Sequence, residues 1–198
     1  MAALRRYLSL GTLMFLLWGC GTTPPPDTQA LIPKDQWQTL KTEQVELSIP
    51  PGYVGGNPGL DLEALQATLM AWGKGDDRTE WLGQNAEDLE LLALREKDDN
   101  LESINVVQEE RPENLSLEAY LNQQVEQLQA TGITVTATQE TNWGRLELTQ
   151  GQLQQISYVY PGDVVFWVIT YSSDRPTAEF LAGVDQSHQS FRVRPEPS

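Results

Sequence analysis

Val164-Val165-Phe166-Trp167-Val168-Ile169-Thr170-Tyr171 is apolar on both of its alternating faces. A strand of that kind sits inside a sheet with both faces covered. The segments before it supply its neighbours. Residues 133–139, 145–150 and 153–160 read as strands, separated by Asn142-Trp143-Gly144, Gly151 and Pro161-Gly162-Asp163. Connections this short join antiparallel neighbours, so the four strands form a meander that delivers the apolar strand to the sheet centre.

Upstream, Leu89–Arg95 and Ile104–Glu109 read as two more strands joined across Lys97-Asp98-Asp99-Asn100. Ser116 then caps a helix whose stripe is Leu117, Tyr120, Leu121, Val125 and Leu128, with Gly132 as its stop. Val45-Glu46-Leu47-Ser48-Ile49 alternates cleanly and ends at Pro50-Pro51-Gly52. After a glycine-rich loop, Asp61 is the expected cap of a helix carrying Leu62, Leu65, Leu69 and Trp72, while Gly75 to Asp88 reads as polar and irregular. A third helix over 177–190 carries Phe180, Leu181 and Val184, and the chain closes with Phe191-Arg192-Val193. The order of strand, helix, two strands, helix, four strands and helix predicts an α+β fold. It is a three-layer α/β/α sandwich with a mostly antiparallel sheet and helices on both faces.

The N-terminus has a different character. Arg5 and Arg6 precede an apolar run from Tyr7 to Trp18, which ends at Gly19-Cys20. A basic start, a short apolar core and small residues at the end describe an export signal. The run is well short of the roughly 20 apolar residues of a membrane span. A cysteine at the cleavage point is the mark of a bacterial lipoprotein signal. Residues 1–19 are then the leader and Cys20 carries a diacylglyceryl group. Trp18 departs from the small or aliphatic residue usual before the Gly-Cys pair, and an uncleaved anchor is the competing reading. Residues 20–44, with Pro24-Pro25-Pro26, read as a lipidated tether; residues 45–194 as one domain; and 195–198 as a tail.

Composition narrows the partners. The 198-residue chain carries a formal charge of −15, and losing Arg5 and Arg6 makes it more negative still. Such a surface repels phosphate backbones and anionic headgroups, which argues against nucleic acid and holds the body off the membrane except through its lipid. The only cysteine is Cys20, so no disulfide staples the domain and its core alone must hold it.

Val45–Gly52, Ile104-Asn105-Val106-Val107, Leu115–Leu121, Ile156–Tyr160, Trp167–Tyr171 and Gln189–Val193 together carry a likeness. In these stretches the chain resembles the PsbP superfamily, a three-layer fold that includes lumenal photosystem II proteins, DcrB-type bacterial lipoproteins and a eukaryotic Ran-binding nucleotide-release factor. It spans roughly residues 44 to 194. The aromatic-rich start of the photosystem proteins is missing here. The resemblance implies a protein that binds other proteins and carries no common catalytic site.

The residues themselves offer few catalytic options. Asp185, Ser187 and His188 have the types of a hydrolase triad, but they lie in one amphipathic helix without a nucleophile elbow. Asp76-Asp77 with Glu80 and Asp98-Asp99 with Glu102 offer hard oxygens, yet neither has the spacing of a calcium loop. Gly55-Gly56-Asn57-Pro58-Gly59 lacks the lysine of a phosphate loop and reads as a connection; Asn114-Leu115-Ser116 reads as a helix start rather than a glycan acceptor. No metal ligand set and no cofactor site is expected.

Tyr53, Trp81 and Trp143 lie in expected loops beside glycines, where they are either docking anchors or fold back onto the core. The expected function is a membrane-tethered, non-catalytic protein-binding or assembly module on the extracytoplasmic side, at a periplasmic or thylakoid-lumen face. It is photosystem-related if the source is photosynthetic. The alternative is an envelope enzyme or a carrier of a small ligand or calcium, with a pocket between sheet and helices.

Overall fold

Val165–Ser173 takes the central place that its composition demands. In the computed structural model, which describes residues 34–195, this strand (β9) lies between β5 (Asn100–Glu110) and β8 (Leu153–Pro161) in a seven-stranded antiparallel sheet. From Phe166 onward its residues are buried. The meander forms as expected: β6 (Thr134–Gln139), β7 (Gly144–Gln150), β8 and β9 pair in sequence. On the other side of β9 come β5, β4 (Leu89–Lys97) and β3 (Val54–Gly56). Asp98 and Asp99 make the two-residue turn between β4 and β5, both with positive φ (55° and 61°). That geometry matches the right-handed strand twist, and aspartate tolerates it well.

One face of the sheet is covered by α1 (Pro58–Ala71), α2 (Asp76–Asn85) and α3 (Leu117–Ala130), which bury Leu65, Leu69, Leu82, Leu121 and Leu128 against it. The opposite face is covered by α4 (Ala178–His188) together with a second, three-stranded sheet of β1 (Gln38–Lys41), β2 (Val45–Ile49) and β10 (Arg192–Val193). Val45, Leu47 and Ile49 are wholly buried there, and each such side chain contributes about 1.5–3 kcal/mol. The fold is therefore the expected α+β layered arrangement, with one outer layer built from a helix and a small sheet. At the start of β4, a bulge between Leu89 and Leu91 turns Leu89 to the helix-rich face and keeps Leu91 on the other.

Four local expectations are corrected. Strand pairing begins at Gln38, inside the stretch assigned to the tether; β1 is held by backbone pairing to β2 and leaves most of its side chains exposed, so it shows no alternation. The polar stretch after Gly75 contains α2. Asn57, not Asp61, caps α1, accepting from the Gly59 N–H at 2.9 Å, and Asp61 marks a kink (φ −109°, ψ 17°). Part of the glycine loop is β3, where a Cβ on Gly55 would fall 2.5 Å from the Ala93 Cα. Ser116 caps α3 as expected, accepting from the Ala119 N–H.

Candidate functional site

Cys20 and most of the tether fall outside the described residues. Of the three aromatics, Tyr53 is corrected outright: it is 5% exposed and cannot present a ring to a partner. Its hydroxyl donates to Glu102 Oε2 at 2.8 Å, and the Arg95 guanidinium lies 4.8 Å above its ring. Arg95 also donates through Nε to Glu102 (2.8 Å) and through Nη1 to Glu179 (3.0 Å). This network ties β4, β5, α4 and the turn after β2 together. Burial, and then the Glu102 charge, push the Tyr53 hydroxyl well above its ordinary range. Trp81 and Trp143 are half-buried. Trp81 packs on the helix-covered core, and Trp143 sits edge-on to Tyr158 and His188 at 5.4 and 5.3 Å.

The hydrolase residues of α4 point to different partners. Ser187 Oγ donates to the Ser48 carbonyl (2.7 Å) and accepts from Tyr171 (2.9 Å). His188 stacks on Tyr158 with centroids 3.8 Å apart and planes 6° from parallel, and its Nδ1 lies 3.0 Å from the Tyr160 hydroxyl. Burial lowers its pKa from 6.5 to about 4, against the pull of Asp185 and with a small push from Arg145. The acidic turns are also engaged. Asp99 pairs with Lys74 at 2.6 Å, and Glu102 belongs to Arg95 and Tyr53.

Two further features stand out: a sheet edge that the sequence reading did not single out, and a cleft in the place where the alternative reading put a pocket, though with no residue named for it. The first is the sheet edge. Among the described residues, the sheet has β3, three residues long, at one end and β6, Thr134-Val135-Thr136-Ala137-Thr138-Gln139, at the other. All but Val135 are exposed. The Glu140 N–H bonds to the Trp143 carbonyl at 2.9 Å, which fixes the phase of the β6–β7 ladder. Residues 134, 136 and 138 bond inward to β7, and the backbone groups of Val135, Ala137 and Gln139 face outward. Exposed edges are commonly blunted by charge, proline or brevity; β6 has none of these. That lack of charge was visible in the sequence.

The second feature is a small cleft between the sheet and α2, with a volume of about 50 Å³ and partly open to solvent. Its walls are leucines, including Leu69, Leu82, Leu92 and Leu94, with Trp81. Its floor is polar. Ser103 pairs across β9 to Ser172 and on to Gln155, making one cross-strand row. Asn105, Thr170 and Ser157 make the next. Ser157 and Thr170 hydroxyls bond at 3.0 Å. Asn105 Oδ1, Gln155 Nε2 and Trp81 Nε1 are buried with no hydrogen-bond partner among the described residues. Arg78 and Asp174 stand nearby at 3.7 Å, and burial raises the Asp174 carboxyl despite Arg78.

No protein-family model matches this chain, and no curated protein matches it. Among solved structures, it is similar to the solution structure of cyanobacterial PsbP (CyanoP) from Synechocystis sp. PCC 6803. The TM-score is 0.45 and the identity 13%, with 90% of this chain and 99% of that one covered. Among the described residues, no helix is long and apolar enough to cross a membrane.

Proposed function

We propose that this protein is a membrane-tethered, extracytoplasmic accessory module that docks a protein partner by strand addition to β6. The observation that carries the reading is the open, uncharged, six-residue edge from Thr134 to Gln139. A partner segment adding there gains main-chain hydrogen bonds from Val135, Ala137 and Gln139 and reads the exposed threonines on one face. Trp143, at the hairpin beside this edge, is the expected aromatic that still fits a docking role. Cys20, through its lipid, keeps the domain at the membrane, and the acidic body selects against nucleic acid.

The test is a crosslinked pull-down from solubilised source membranes using wild type, Cys20→Ala and Ala137→Pro. Proline at 137 removes an outward N–H and leaves the β7 ladder whole. Wild type should capture a defined membrane protein, Ala137→Pro should lose it while melting like wild type, and Cys20→Ala should leave the membrane fraction. Equal capture by wild type and Ala137→Pro would overturn docking at β6.

A further inference from the structure

We propose that the segment added to β6 is cationic: an extended stretch in which lysine or arginine flanks a run of alternating polar and apolar side chains. This rests on docking at β6 and adds the chemical class of the partner.

The edge strand itself is neutral, so its surroundings set the preference. α3, β6, β7 and their connections, residues 117–150, carry Glu118, Glu126, Glu140 and Glu147 against one cation, Arg145. Glu118, Glu126 and Glu140 are exposed, and Glu140 directly follows the last residue of β6. Arg145 is bridged to Glu147 at 2.5 Å. In the β6–β7 ladder these two sit opposite Thr138 and Thr136, so the one cation beside the edge is already neutralised. The chain as a whole carries a formal charge of −15. An acidic strand is repelled on approach to this edge, and a cationic one is drawn in.

The pleat gives the pattern between the charges. Val135 turns to the helix-covered core, and Ala137 and Gln139 share its face by the two-residue period. Ala137 is exposed there, so an apolar partner residue opposite it covers its methyl group. Thr134, Thr136 and Thr138 lie on the other face and are exposed, where partner threonines make favourable cross-strand pairs. A second copy of this chain would bring the same neutral strand in the same acidic surroundings, so it lacks the charge that this edge attracts.

The test is an amide-resolved NMR titration of the full chain with the peptide acetyl-Lys-Lys-Thr-Val-Thr-Val-Thr-Lys-Lys-amide, beside versions with glutamine or glutamate in place of lysine. The lysine peptide should shift the amides of Val135, Ala137 and Gln139 saturably. At low salt it should bind about tenfold tighter than the glutamine peptide, the combined effect of several exposed charge pairs. At about 0.5 M salt the two should approach parity. Glu140→Gln combined with Glu147→Gln removes two acids beside the edge and frees Arg145. The lysine preference should then drop at least about threefold, with the glutamine peptide bound as before. Ala137→Pro should lose both peptides. Equal binding of all three peptides at β6 would overturn the cationic assignment and leave strand addition standing. Lysine-peptide shifts centred away from β6, or retained in Ala137→Pro, would overturn it as adhesion to the acidic surface. No shift at β6 with any peptide would overturn strand addition itself.

Discussion

Acidification should weaken this fold through His188, by an amount the structure sets. The ring is neutral in the folded chain, stacked on Tyr158 with Nδ1 beside the Tyr160 hydroxyl, and its pKa is lowered from 6.5 to about 4, first by burial. In the unfolded chain the imidazole protonates as pH falls below 6.5, while the folded one resists until about 4. Unfolding therefore takes up a proton in that window, and stability is lost as pH falls through it. The loss amounts to about 3 kcal/mol by pH 4. His188→Phe supplies the control: it keeps a ring against Tyr158, cannot titrate, and leaves Tyr160 its bond to the residue-188 carbonyl (2.9 Å). Urea denaturation of both proteins between pH 7.5 and 4 isolates the histidine, because the carboxylates cancel in the difference. Wild type should lose about 3 kcal/mol relative to the variant. The chain has one histidine, so its Hε1 resonance reports the midpoint without ambiguity. A midpoint near 6.5, or a stability difference flat with pH, would refute the reasoning.

Other predictions follow from the same physics. Glu109 accepts from the Tyr120 hydroxyl at 2.7 Å, and burial raises its pKa to about 7; the folded chain holds this proton above the unfolded value, so stability falls as pH rises from 4.5 through 7. Glu109→Gln should gain about 3 kcal/mol over wild type at pH 8 and little at pH 4, measured by urea midpoints. Glu102→Ala leaves the buried Tyr53 hydroxyl without its acceptor and Arg95 with Glu179 as its remaining carboxylate, and should cost about 3–5 kcal/mol, whereas the double replacement Arg95→Met with Glu102→Leu should cost far less. Gly144 packs beneath α3, where an added Cβ would lie 2.5 Å from Leu121 Cδ1; Gly144→Val should cost about 1–3 kcal/mol in thermal denaturation by forcing α3 off β7.

The legible parts of the fold were those whose side chains declare their burial. β9 showed its central place because both faces are apolar, and β2 and α3 showed theirs through clean periodicity and, for α3, its serine cap. The illegible parts are held by something other than a side-chain stripe. β1 is held by backbone pairing, β3 by glycines that let the chain lie close to β4, and α2 by Trp81 and Leu82 in an otherwise polar segment. Tyr53 read as a loop residue because its burial is created by Arg95 and Glu102, which lie more than forty residues downstream. The polar floor of the cleft was hidden for a related reason. Gln155 and Ser157 alternate with apolar neighbours as a solvent-facing strand would, and only the helix layer above turns that face inward. The edge character of β6 depends on sheet order, which no local pattern encodes.

Amide hydrogen exchange along β6, in the free protein and in the complex captured from source membranes, tests docking at this edge most directly. In the free protein Val135, Ala137 and Gln139 should exchange fast beside protected Thr136 and Thr138. In the complex the three outward amides should become protected as well. Protection unchanged at Val135, Ala137 and Gln139, with slowing confined to another face, would contradict strand addition at β6.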